Sequence, residues 1–180
     1  MPHGQPVQVD PGLVGVDDGD TVTIRWRPGD EEVVRILGID APETRHDEHN
    51  IPIDQPFGAE ARAFARGAFA AATRVELLRA ATLDPYGRTL GYLTVNGKNY
   101  SVLAIRARLA EESVSRYGDN GFPREAAEVT AAAEAAGPLP FEPPGLYRGR
   151  MRRLSEHLKQ SDGPPVRPGS GIDGTDRPAR

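Results

Sequence analysis

Between Val33 and His46 the chain reads VVRILGIDAPETRH, with three charged residues that a plain core strand would not choose. Asp40 and Glu43 stand three positions apart at the end of an apolar run, with Ala41-Pro42 between them. A residue before proline is pushed toward extended geometry, so the two carboxylates project from a bend rather than from one helical face. Arg35 sits inside the run. Burying a guanidinium without an anionic partner is costly, so Arg35 needs a neighbouring carboxylate or an anionic ligand. A cation and two carboxylates at a strand end suit a structural ion-pair cluster, or a metal and phosphate site. The segment alone leaves both open.

The elements that must carry these groups are legible from periodicity. Val33, Val34, Ile36, Leu37 and Ile39 predict a mostly buried strand. Upstream, Leu13–Val16 reads as a short strand leading into Asp17-Asp18-Gly19-Asp20, and Thr21–Arg27 alternates, with Val22, Ile24 and Trp26 on one face. Pro28-Gly29-Asp30 is turn chemistry, so this half reads as an antiparallel meander. A polar loop over 47–55 precedes a helical period from Pro56 to Ala72, striped by Phe57, Phe64 and Phe69. Val75–Leu78 and Leu90–Val95 read as strands around the loop Asp84-Pro85-Tyr86-Gly87-Arg88, and Asn96-Gly97 signals a hairpin returning over Lys98–Tyr100. Ser101 can cap a helix over Val102–Ala110, and a third helix starts at Pro123 and stops at Gly137.

Composition bounds the function. At 180 residues the chain fits one domain, and without cysteine it has no disulfide framework and no thiolate ligand or nucleophile. No basic start precedes an apolar stretch and no run reaches the length of a membrane span, so the expectation is a cytoplasmic protein with no membrane partner, monomeric by default. Of the formal net charge of −4, residues 1–138 carry −7 and residues 139–180 carry +3. An acidic body argues against broad adhesion to nucleic acid, which draws on phosphate neutralisation, but leaves room for a small site in which a bound cation supplies positive charge. Past Gly137, four prolines mark a linker, and the pattern over 146–159 allows a short basic helix containing Arg148, Arg150, Arg152 and Arg153. From Gln160 onward the Pro, Gly, Ser and charged residues predict disorder.

Three separated segments, Asp18-Gly19-Asp20-Thr21-Val22, Arg35 to Thr44 with its IDAPET ending, and Asp84-Pro85-Tyr86-Gly87-Arg88, together resemble the thermonuclease family (staphylococcal nuclease homologues) from about Gly15 to about Gly137. The expected fold is α+β: a five-stranded OB-fold β-barrel with about three helices over 13–137, a flexible segment over 1–12, and a flexible tail over 138–180. The resemblance implies a nuclease hydrolysing phosphodiesters of DNA and RNA with one Ca²⁺, leaving 3′-phosphate and 5′-hydroxyl ends. It implies Asp20, Asp40 and the Ala41 backbone carbonyl as metal ligands, Glu43 as the group that orients or deprotonates the attacking water, and Arg35 and Arg88 as the phosphate grip. Tyr86 and Tyr117 are candidate substrate-binding residues.

The chain departs from the family at Pro85, where lysine is frequent, at the acidic Asp47-Glu48 in a usually basic loop, at Arg108 near the end of the second helix, and at Val114, where a base-stacking tyrosine is usual. All four touch substrate binding rather than the metal or the two arginines. The alternatives are a non-catalytic OB-fold module that binds single-stranded nucleic acid, and a structural Ca²⁺-binding domain. The first usually loses the carboxylates that are present here, and the second leaves Arg35 and Arg88 unexplained. No motif carrying cleavage chemistry lies beyond Arg88, so removal of everything after Gly137 is expected to leave the site intact. The sharper expectation for the basic tail is that it touches substrate phosphates.

Overall fold

A computed structural model describes residues 3–161, apart from the side chains of Glu48 and Ser161. The alternating and apolar runs form strands β1 (Pro6–Val9), β2 (Val14–Val16), β3 (Thr21–Arg27), β4 (Asp30–Ile36), β6 (Val75–Leu83), β7 (Thr89–Val95) and β8 (Lys98–Asn99), which join in one seven-stranded sheet. Its order is β1-β6-β7-β4-β3-β2, with β8 beside β7. β4 and β7 run parallel, and the other pairs are antiparallel. The sheet curls into a half-barrel, giving the α+β architecture of an OB-type fold. β5 (Ile39–Asp40) and β9 (Glu111–Glu112) pair separately as a short two-stranded ladder.

The described residues also form the α-helices α1 (Gly58–Ala70), α2 (Tyr100–Arg106), α3 (Val114–Tyr117), α4 (Pro123–Ala136) and α5 (Pro144–Ser161). The core lies where α1, α2 and α4 meet the concave sheet. Val22, Ile24, Val34, Ile36, Leu77 and Leu93 come from the strands, Phe69 from α1, Tyr100 and Ile105 from α2, and Val129 from α4. Packing these side chains out of water supplies roughly 1.5–3 kcal/mol for each large residue, which holds the helices on the sheet.

Several elements differ from the pattern reading for local reasons. Residues 1–12 read as a flexible segment, yet Pro6–Val9 pair with β6 and Val9 is fully buried. Such long-range pairing leaves no periodic signature. Thr23 reads as solvent-facing, but it is buried and its hydroxyl donates to Asp17 at 2.7 Å, so the Asp17–Asp20 turn covers that end of β3. Asn99, not Ser101, caps α2: its side chain accepts from the Ser101 N–H at 3.0 Å, and the Ser101 hydroxyl donates to the Leu37 carbonyl at 2.7 Å. α3 is too short for its period to be read. The short basic helix allowed over 146–159 lies within α5. The disorder expected from Gln160 onward falls, past residue 161, outside the described residues.

Candidate active site

Strands β3, β4 and β5 bring the acidic turn and the strand-end carboxylates to one place. The turn before β3 is tied by the Asp20 N–H, which donates to Asp18 at 3.1 Å, and by the Tyr100 hydroxyl, which donates to the Gly19 carbonyl at 2.8 Å. Gly19 is required by close approach: a Cβ there would lie 2.7 Å from the Ala41 Cβ and 2.9 Å from the Ala61 Cβ. That contact sets the Asp20 turn against the β5 end, and the Ala41 N–H donates to Asp20 Oδ2 at 2.6 Å.

Arg35 joins the two acids. Its Nη1 lies 2.9 Å from Asp20 Oδ2 and its Nη2 3.1 Å from Asp40 Oδ1, and Nη1 also donates to the Ile36 carbonyl at 3.1 Å. Register accounts for the meeting, because Thr21 pairs with Arg35 across β3 and β4. Asp40 is only 1 % exposed, and a carboxyl group buried that far needs the guanidinium partners it has there. Glu43 sits just beyond, its backbone N–H donating to the Gln55 side chain at 3.1 Å. Gly58, at the start of α1, fits against this bend because a Cβ would come within 2.3 Å of the Glu43 carbonyl oxygen.

The electrostatics follow from crowding in a dry site. Burial, with Asp18 and Asp40 adding repulsion, pushes Asp20 up to about 7 against the pull of Arg35 and the Ala41 N–H. Burial also lifts Glu43 above its ordinary range, against the hydrogen bond from Arg148. For Arg35, burial opposes the charge, but Asp20 and Asp40 outweigh it and hold the guanidinium above its usual value.

A residue outside the sequence motifs completes the cluster. Arg148, on α5, forks onto Asp40, with Nη1 to Oδ1 at 2.9 Å and Nη2 to Oδ2 at 2.7 Å, while Nη1 also donates to Glu43 Oε1 at 2.5 Å. Arg116 stands further off, 3.8 Å from Asp40 and 3.6 Å from Glu111. The sequence flagged Arg148 only as part of a basic stretch. Its partners are more than a hundred residues away along the chain, and no local pattern encodes that.

The other candidate residues lie apart from this cluster in their contacts. Arg88 donates to Asp84 at 2.6 Å and lies over the Tyr86 ring at 5.5 Å. Tyr86 is exposed, with the His49 ring 6.5 Å away, and Tyr117 is exposed beside Arg116. Among the described residues no three acidic or histidine side chains converge as a ready-made metal cage. In kind, the donors do fit a hard cation: Asp20 and Asp40 are held within one guanidinium's span, offer only oxygen, and sit beside a backbone turn.

A curled α+β half-barrel with paired carboxylates and arginines at one sheet end has the architecture of an OB-type fold. The match of residues 33–137 to the "Staphylococcal nuclease homologue" family model places the chain in that family. It is 36 % identical over 102 residues to a thermonuclease of Staphylococcus intermedius, covering 56 % of this chain and 55 % of that one. It is 31 % identical over 105 residues to a thermonuclease of Staphylococcus hyicus, covering 58 % and 56 %. The chain thus spans little more than half the length of the curated relatives it matches. Asp20 and Arg148 fall outside the span matched by the family model, on either side of it. Among the described residues no helix is long and apolar enough to cross a membrane.

Proposed function

We propose that this protein is a Ca²⁺-dependent nuclease that hydrolyses phosphodiester bonds of DNA and RNA, leaving 3′-phosphate and 5′-hydroxyl ends. The observation that carries the reading is the convergence of Asp20, Arg35, Asp40 and Glu43 at one end of β3, β4 and β5, inside a fold whose relatives are thermonucleases. Asp20 and Asp40, with the Ala41 carbonyl, would hold the ion. When bound, calcium would polarise a phosphate oxygen and offset its charge.

The chain's own groups would do the rest. Glu43 accepts the proton of the attacking water, and burial has already raised its basicity. The water oxygen bonds to phosphorus as the bond from phosphorus to the 5′ oxygen breaks, and the 5′ oxygen takes a proton from solvent and leaves as a hydroxyl. Arg35, planar and forked, stabilises the negative charge that grows on the equatorial phosphate oxygens. Arg88 supplies the second fork once a phosphate draws it from Asp84.

Incubation of the full chain with single-stranded DNA and with RNA, in Ca²⁺ or in chelator, followed by end-group analysis, tests this. The expected products carry 3′-phosphates in Ca²⁺ and are absent in chelator. Retention of intact strands in a stable complex would instead support the binding-module reading.

A further inference from the structure

The helix that follows the family-matched region is built onto the site rather than beside it. Tyr147 and Met151 of α5 bury themselves against Ile51, with Leu154 packed alongside. The Tyr147 hydroxyl donates to the Ile53 carbonyl at 2.7 Å. Gln55 donates to the Glu142 carbonyl at 2.6 Å, and Lys159 reaches Asn50 at 2.6 Å. These contacts clamp α5 over the loop between β5 and α1, and they place Arg148 directly over Asp40 and Glu43.

The consequence concerns who occupies Asp40. Its Oδ1 accepts from Arg35 at 3.1 Å and from Arg148 at 2.9 Å, and its Oδ2 accepts from Arg148 at 2.7 Å. Both oxygens are therefore committed. A hard divalent ion binds carboxylate oxygen at roughly 2.3–2.6 Å and repels a neighbouring guanidinium, so ion and Arg148 cannot share Asp40 in this arrangement. Arg35 is inside the sheet and also anchored on Asp20 and the Ile36 carbonyl, whereas Arg148 reaches in from a separate element. Arg148 is the partner that yields.

We infer that Arg148 is a tethered internal cation that competes with a divalent metal ion for Asp40, so that α5 sets the cation affinity of the site. The inference rests on Asp40 being a metal ligand as proposed above. A ligand that must first displace a resident partner binds with an affinity reduced by the fraction of molecules in the open state. By reciprocity, a bound ion weakens the hold of Arg148 by the same factor. The device keeps the buried carboxylates neutralised when no ion is present, and it requires a high cation concentration before Glu43 is released from its arginine.

Calorimetric titration of the full chain with Ca²⁺ alone, without nucleic acid, tests this in the parent, Arg148→Ala and Arg148→Gln. Glutamine keeps part of the stem while removing the charge, which guards against a fold defect in the alanine variant. The expected result is an affinity at least about tenfold tighter in both variants, about 1.4 kcal/mol by the affinity relation. Asp40→Asn should abolish binding in either background. Equal or weaker affinity in the variants overturns the competition while leaving the metal reading standing. Absence of binding in every protein overturns both.

Discussion

Arg35 touches two carboxylates and two backbone carbonyls at once, so its planar fork matters as much as its charge. Arg35→Lys keeps the charge but cannot span both acids or grip a phosphate through two parallel bonds. Turnover should fall by roughly 10²–10³-fold, the loss typical of removing one transition-state donor, with a smaller change in KM. Steady-state kinetics of cleavage read this directly. Arg88→Lys should behave alike if Arg88 leaves Asp84 for the phosphate, and unaltered kinetics would confine Arg88 to its loop. At this scale the sequence showed much. The oddity of an arginine in an apolar strand pointed to a neighbouring carboxylate or to an anionic substrate, and the structure sets Asp20 and Asp40 beside it. It was silent on Arg148, because a contact between α5 and the β5 bend depends on how the whole chain closes.

Among the elements, β4 carries a second buried ion pair that has no part in the proposed chemistry. Glu32 accepts from Arg79 Nε and Nη2 at 2.7 Å each, from the Trp26 indole at 2.9 Å and from the Thr89 hydroxyl at 2.8 Å, joining β3, β4, β6 and β7. Burial works to raise its pKa, but these donors outweigh it and hold Glu32 below the ordinary 4.5. A carboxylate with a depressed folded pKa contributes stability that is complete above the unfolded value and is lost as pH falls through the folded value. The parent should therefore lose stability below about pH 4.5 more steeply than Glu32→Gln. At neutral pH the same substitution strands a nearly buried Arg79, and should cost about 3–5 kcal/mol in a denaturant melt. The strands and long helices were visible in periodicity because each buries one face. β1, α3 and the true cap of α2 were not, since they depend on pairing partners and on which of two adjacent polar side chains finds a free N–H.

For the whole molecule, the tail changes role. The sequence supports removing everything after Gly137 without harm to the site, and a basic arm meeting substrate phosphates. In the structure Arg148 meets carboxylates, Arg150 pairs with Glu142 at 2.7 Å, and Tyr147 and Met151 are buried. Truncation after Gly137 should therefore uncover Ile51 and leave the buried Gln55 without the Glu142 carbonyl. The apolar loss alone should lower unfolding free energy by about 3 kcal/mol, measurable as a shifted urea midpoint with a smaller m-value. The sheet and α1 to α4 keep their own core, so the truncated chain should still unfold cooperatively.

If the Asp20–Arg35–Asp40–Glu43 cluster cleaves phosphodiesters as proposed, Glu43→Gln isolates the chemistry from the fold and from binding. The measurement is single-turnover cleavage of an end-labelled single-stranded DNA at saturating Ca²⁺, with the dissociation constant of the complex determined alongside. The expected result is an affinity close to that of the parent and a cleavage rate lower by roughly 10²–10⁴-fold, the usual range for losing a general base. A variant that cuts as fast as the parent, with the same ends, would contradict it.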